Sequence, residues 1–223
     1  MASEKHARIL FADDHFVISD FNLYLNYADI TITDKEENVE KEYKLDLPGI
    51  YQTKNLITTL ESVEILKQNH RLLHEQRVSC ALKQVRKLTG FHGRWDVIHE
   101  HPTVILEVAH NEDGILQMLS HLQHLQYSQL HLIFGIVKDK DVKKILQLLS
   151  YDARYYFTQA PIPRALPATV LWQKATEIGL EGKVFDNVND ALHQAKKSAS
   201  KDDIIIVCGS IFLVAEVDKR TFQ

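Results

Sequence analysis

Three short runs constrain this chain most: Val104-Ile105-Leu106, Leu132-Ile133-Phe134 and Ile204-Ile205-Ile206-Val207. A strand with one face in water alternates apolar and polar residues. A strand covered on both faces reads as an unbroken apolar run. Helical stretches fall around 114–125, 141–149, 168–178 and 189–197, with a last one after Ser210. They alternate with strands over 95–99, 103–108, 130–137, 154–158, 183–185 and 203–208. Such alternation predicts an α/β fold with a mostly parallel, Rossmann-like open sheet flanked by helices. Residues 93–223 are expected to form a complete domain of this kind.

The first 90 residues read differently. Short strands are predicted over 7–12, 15–20, 28–33 and 43–47, with the acidic stretch 34–42 as a hairpin tip. Pro48-Gly49 stops the last strand. A helix follows over 52–68, with Leu56, Leu60, Val63 and Leu66 at helical spacing, and a second over 79–88 ends near Gly90. No evident way for this region to close a core is read from the pattern, so it is expected to be the incomplete end of another domain.

Composition removes several classes of function. Apolar residues make up 45% and charged residues 25%, as in ordinary globular proteins. A formal net charge of -4 carries no footprint for nucleic acid or an anionic membrane surface. No apolar run approaches the ~20 residues that span a bilayer, and the first residues show no signal-peptide core. Cys80 and Cys208 stand far apart, in no metal or redox spacing, and read as reduced thiols of a cytoplasmic protein.

In an open parallel sheet, ligands bind beyond the carboxyl ends of the strands. The loops to weigh are those after Val108, Val137, Thr158, Phe185 and Cys208. Two are unusually polar. One strand runs into Glu107-Val108-Ala109-His110-Asn111, and another into Cys208-Gly209-Ser210 before a helix. Gly209 permits a sharp backbone turn. Ser210 suits a helix N-cap, and the same geometry offers backbone donors to a carboxylate or phosphate.

Four segments, in order, resemble the folylpolyglutamate synthase and dihydrofolate synthase family of the Mur ligase superfamily. They are Leu47-Pro48-Gly49-Ile50-Tyr51-Gln52-Thr53-Lys54-Asn55, Gly90-Phe91-His92-Gly93-Arg94-Trp95, Val104-Ile105-Leu106-Glu107-Val108-Ala109-His110-Asn111, and Gly209-Ser210-Ile211-Phe212-Leu213-Val214-Ala215-Glu216-Val217. The resemblance implies a Mur ligase C-terminal, glutamate-ligating domain over 93–223, preceded over 1–90 by the tail of a central ATPase domain. It also implies that the rest of that ATPase domain is missing. The family's Gly-rich phosphate loop has no counterpart in the chain: Gly182-Lys183 is followed by Val184, and Glu177 stands where the first loop glycine belongs. The chain is therefore expected to be inactive alone.

The implied reaction adds L-glutamate to folate or dihydropteroate. ATP converts a carboxylate to an acyl phosphate, which the glutamate amine attacks, so catalysis is largely positioning and charge stabilisation. Mg2+ is implied with the ATP, its ligands expected in the missing portion. By resemblance Asn55, Arg94 and Glu107 contact ATP, His110 acts catalytically by orienting glutamate, and Ser210 meets the glutamate carboxylate. Glu107 and Tyr51 depart from the family's usual Asp and His. Each residue also has a plainer reading: a salt bridge for Arg94, local backbone bonding for Asn55, a lysine partner for Glu107, and helix caps for Asn111 and Ser210.

The remaining clusters are read as structural or surface features, with no metal site. His70 and His74 lack a third ligand, His99 and His101 are expected at the surface, and His121 and His124 are expected to be solvated. Tyr155-Tyr156 is read as strand packing. Two other functions stay open: a peptidoglycan-precursor Mur ligase fragment, and a noncatalytic α/β interaction module.

Overall fold

The apolar runs at 104–106, 132–134 and 204–207 form the strands they predict. In the computed structural model, which describes residue 5 and residues 9–67 and 73–222, the chain divides into two units, Met1–Phe91 and His92–Gln223.

In the first unit, β1 (Phe16–Leu23), β2 (Ala28–Asp34) and β3 (Val39–Leu45) pair antiparallel in that order. Ala28, Ile30 and Ile32 alternate along β2 and are all buried, as the period of two requires. They pack with Phe16, Tyr43 and Leu45 against Leu56 and Leu60 of α2 (Gln52–Lys67). This region therefore does close an apolar cluster of its own, contrary to expectation. One helical face on a three-stranded sheet suffices.

Other expectations here need correction. The run over 9–12 forms no strand: Ala12–His15 is a helical turn, α1, and Ile9 and Phe11 are exposed. The hairpin tip shrinks to 35–38, because β2 and β3 pair through Asp34 and Val39. Leu66 is exposed and Val63 only half-buried. The single helix over 79–88 is two, α3 (Glu75–Leu82) and α4 (Val85–Thr89). Asp46 supplies the break, its carboxylate accepting the Val85 and Arg86 N–H groups at 3.1 and 2.9 Å, which starts a fresh helix. Residues 7, 8, 68 and 70, including His70 of the histidine pair, lie outside the described residues.

The second unit is the expected α/β domain. Its six strands are β4 (Asp96–Glu100), β5 (Thr103–Glu107), β6 (Leu130–Phe134), β7 (Arg154–Phe157), β8 (Gly182–Val184) and β9 (Ile204–Cys208). They lie in the order β4-β5-β9-β6-β7-β8. Only the β4 edge is antiparallel. Ile204, Ile206 and Cys208 of β9 join one core, with Ile115 and Met118 of α5 (Glu112–Leu122), Ile145 of α6 (Val142–Leu148) and Leu171 of α7 (Ala168–Thr176). Ile205 and Val207 join the other, with α8 (Val188–Ser198) and α9 (Ile211–Ala215). The two cores explain why the central strands show no polar alternation. In α8 the residues Val188, Ala191, Leu192 and Ala195 fall on one buried face at helical spacing.

The Gly182-Lys183 pair lies within β8. A Cβ on Gly182 would stand 2.6 Å from both Cβ and the carbonyl oxygen of Tyr155. The glycine therefore serves close strand packing.

Candidate functional site

The candidate site grows from the carboxyl ends of β5, β9 and β6. Glu107 of β5 stands in register with Cys208 of β9. Beyond that rung, Gly209 N–H donates to the Ala109 carbonyl at 2.9 Å, and Gly135 N–H donates to the Cys208 carbonyl at 3.3 Å. Gly209 has φ +104°, and a Cβ there would meet the Gly135 carbonyl oxygen at 2.5 Å. Only glycine permits this turn and this approach. The loops carrying His110 and Ser210 are thus bonded directly to each other.

His110 is half-buried, with Nδ1 3.3 Å from the Val108 carbonyl. A carbonyl only accepts, so this contact assigns the proton to Nδ1 and leaves Nε2 as the acceptor nitrogen. Asn111 caps α5, its side-chain oxygen accepting the Gly114 N–H at 2.8 Å. Glu112 and Asp113 occupy the first turn of that helix and oppose an anion there. Ser210 is buried, and its hydroxyl accepts the Phe212 N–H at 3.2 Å, so the expected cap forms. The helix behind it, α9, has five residues. Its dipole is correspondingly small, and the expected anion site there rests on few donors.

Arg94 and Glu107 meet. Arg94 Nη1 lies 3.7 Å from Glu107 Oε1, and Trp95 N–H donates to Glu107 Oε2 at 2.8 Å. Glu107 is 2% exposed, whereas the Arg94 side chain is 37% exposed. The salt bridge considered for Arg94 is present. Its acidic partner is Glu107. The neighbouring Cys208 thiol is pushed up by burial and then by Glu107, so it stays protonated and unreactive.

Asn55 lies in the first unit, on α2, where its side-chain amide donates to Gln52 at 2.8 Å. That is the local bonding the plain reading expects. His110 and Ser210 sit on bonded loops, and Arg94 and Glu107 form a pair at the base of the His110 loop.

Sequence reading missed one member of this neighbourhood, and a second histidine at the opposite, amino end of β5. His121 was expected in solvent, yet it is 1% exposed and stacks on Trp95, with ring centroids 3.5 Å apart and planes at 10°. Its place was legible: His121 falls on the α5 stripe with Ile115, Met118 and Leu122. His99 is also half-buried, with Nδ1 2.8 Å from the Pro102 carbonyl. His74 and His101 are exposed, and Tyr155 and Tyr156 are buried packing residues, as read. Among the described residues, no group of three His, Cys, Asp or Glu gathers to hold a metal, and no helix is long and apolar enough to cross a membrane.

Comparison with known proteins points to one family. The model of the Mur ligase glutamate ligase domain matches residues 93–211. The chain is similar to a probable bifunctional folylpolyglutamate synthase/dihydropteroate synthase of Haloferax volcanii, at 27% identity over 86% of this chain and 22% of that protein. It resembles the solved E. coli FolC in complex with DHPP and ADP, with TM-score 0.75, 24% identity, and coverage of 96% of this chain and 47% of that one. It also resembles a bifunctional folylpolyglutamate synthase/dihydrofolate synthase solved with Mn, AMPPNP and L-glutamate bound, with TM-score 0.72, 24% identity, and coverage of 96% and 48%. At that identity the structural likeness shows the fold. The chain spans about half the length of these solved proteins.

Proposed function

Because the chain belongs to the Mur ligase family through its glutamate ligase domain, on the folylpolyglutamate synthase and dihydrofolate synthase branch, we propose that it forms the glutamate-accepting part of an ATP-dependent ligase acting on folate or dihydropteroate. The observation that carries the reading is the bonded pair of strand-end loops bearing His110 and Ser210, inside the segment that matches the domain model. Two loops tied by one backbone bond hold their side chains at a fixed separation, which suits a reaction governed by alignment.

In this reading a substrate carboxylate takes the γ-phosphoryl group of ATP, giving an acyl phosphate and ADP. The glutamate amine then attacks the acyl carbon, an amide forms, and phosphate leaves. His110 orients the incoming glutamate through Nε2, which accepts an N–H of its amino group. Ser210 and the adjacent N–H groups face the glutamate carboxylate. Arg94 is assigned to the nucleotide, and a nucleotide role for Asn55 rests on the family resemblance alone. A guanidinium suits phosphate because its planar fork offers paired donors. Mg2+ is expected with the nucleotide, and none of the described residues is assigned to it. ADP, DHPP, L-glutamate and Mn are named with the two solved relatives and fit the reactant classes this reading requires. A peptidoglycan-precursor ligase is less supported, since the relatives named above are folate enzymes.

The test is ligation of labelled L-glutamate with ATP and either folate or dihydropteroate. The chain alone, without a phosphate loop, is expected to give no product. Joined in frame to a phosphate-loop ATPase domain of this family, it is expected to ligate, and His110→Ala to lower turnover about 100-fold. Product from the chain alone, or full activity of folded His110→Ala, contradicts the reading.

A further inference from the structure

The carboxylate of Glu107 has an unusual environment for a residue that would reach a ligand. It is 2% exposed. One oxygen accepts the Trp95 backbone N–H at 2.8 Å, and the other faces the Arg94 guanidinium at 3.7 Å. A buried carboxylate is tolerated only when it is bonded and paired in this way. Buried and turned towards these groups, it is poorly placed to reach a nucleotide hydroxyl.

The turn that delivers both partners is itself over-determined. Gly93 has φ +82°, and its carbonyl accepts the Val108 N–H at 2.7 Å. A Cβ on Gly93 would stand 2.9 Å from Val108 Cγ2. Trp95 has φ +48°, a conformation that a bulky residue adopts only under constraint from its surroundings. Its side chain supplies the constraint, being fully buried and stacked on His121. Neither ring nitrogen of His121 has a hydrogen-bond partner among the described residues. Burial, and then His124, lower its pKa to about 3, so the stack is neutral and flat.

We infer that Glu107 is a positioning residue: backed by the Gly93–Arg94–Trp95 turn and the Trp95–His121 stack, it fixes the direction of the Arg94 guanidinium. The geometry stands on its own, while the consequence for nucleotide rests on the assignment of Arg94 under Proposed function. The length of Glu matters here. An Asp would withdraw the carboxylate by about 1.5 Å, one C–C bond, and lose the Trp95 N–H.

The experiment follows the Arg94 guanidinium Nη–H groups and the Trp95 backbone N–H by NMR in the isotope-labelled chain, at a temperature low enough to slow guanidinium rotation, with ADP titrated into each variant. Glu107→Gln keeps shape and an acceptor oxygen but removes the charge. It is expected to hold the Trp95 signal while the Arg94 Nη signals move to the solvent-exposed position, as loss of the ion pair with Glu107 implies. Glu107→Asp keeps the charge and is expected to move both signals together; it decides the question if Glu107→Gln does not fold. An Arg94 signal unmoved in the folded variants overturns the inference. If Arg94 is released and ADP affinity stays the same, the positioning role stands and the nucleotide assignment of Arg94 fails. If ADP affinity falls while Arg94 stays in place, Glu107 meets the nucleotide itself and the positioning role fails.

Discussion

His121 and Gly93 carry most of the local conformational tension, and each gives a prediction. With a folded pKa of about 3 and an unfolded value of about 6.5, His121 is neutral in both states above pH 6.5 and adds no pH dependence there. Below that, the unfolded chain takes a proton that the folded chain refuses. Stability therefore falls as pH drops from about 6.5 towards 3, by at most ~1.4 kcal/mol per unit from this residue. His121→Phe keeps the stack and removes the titration. It is expected to flatten the acid limb of urea-derived stability between about pH 6 and 4, and an unchanged slope would contradict this. Gly93→Ala is expected to cost about 1–3 kcal/mol in the same measurement, because φ +82° and the 2.9 Å approach to Val108 are both refused to a Cβ. A neutral effect would mean that the turn is not constrained as described.

At the scale of elements, the amino end of the sheet is locked by a buried polar chain remote in sequence from the motifs. His131 of β6 lies 2.9 Å from the Tyr156 hydroxyl through Nδ1 and 3.2 Å from Asp203 through Nε2. Asp203 also accepts the Ser200 N–H and hydroxyl, each at 2.8 Å. Burial raises the Asp203 pKa, but Ser200 and His131 together outweigh it and hold the carboxyl below its ordinary value. Asp203→Ala leaves His131 buried without that partner and frees the 200–203 turn ahead of β9. The expected loss is about 2–4 kcal/mol, read from the urea midpoint. A loss within experimental error would show the chain of bonds to be incidental.

The same scale shows what the sequence could disclose. Strands and helices of the second unit were legible because period and apolar run length follow directly from two-sided burial. The ends of β5 and β9 were legible because ligand loops follow parallel strands. The break between α3 and α4 was not, since Asp46, 39 residues before Val85, sets it. The pairing of Arg94 with Glu107 was equally hidden. It depends on a turn with two positive φ angles, one of them at a tryptophan, which no propensity favours. Burial of His121 could have been found from its place on the α5 stripe, but its polarity argued the other way.

For the molecule as a whole, the second unit has two apolar cores built from its own residues. Residues 92–223 produced alone are expected to unfold in one cooperative urea transition, and a broad, gradual loss of signal would show that this unit depends on the first. Under the proposed function that unit receives glutamate. The most direct test is an NMR titration of the labelled chain with L-glutamate at millimolar concentration. The account predicts saturable shifts confined to Ala109, His110 and Asn111 on one loop and Gly209, Ser210 and Ile211 on the other, and their loss in His110→Ala. Shifts that map elsewhere, or none at those six residues, would contradict it.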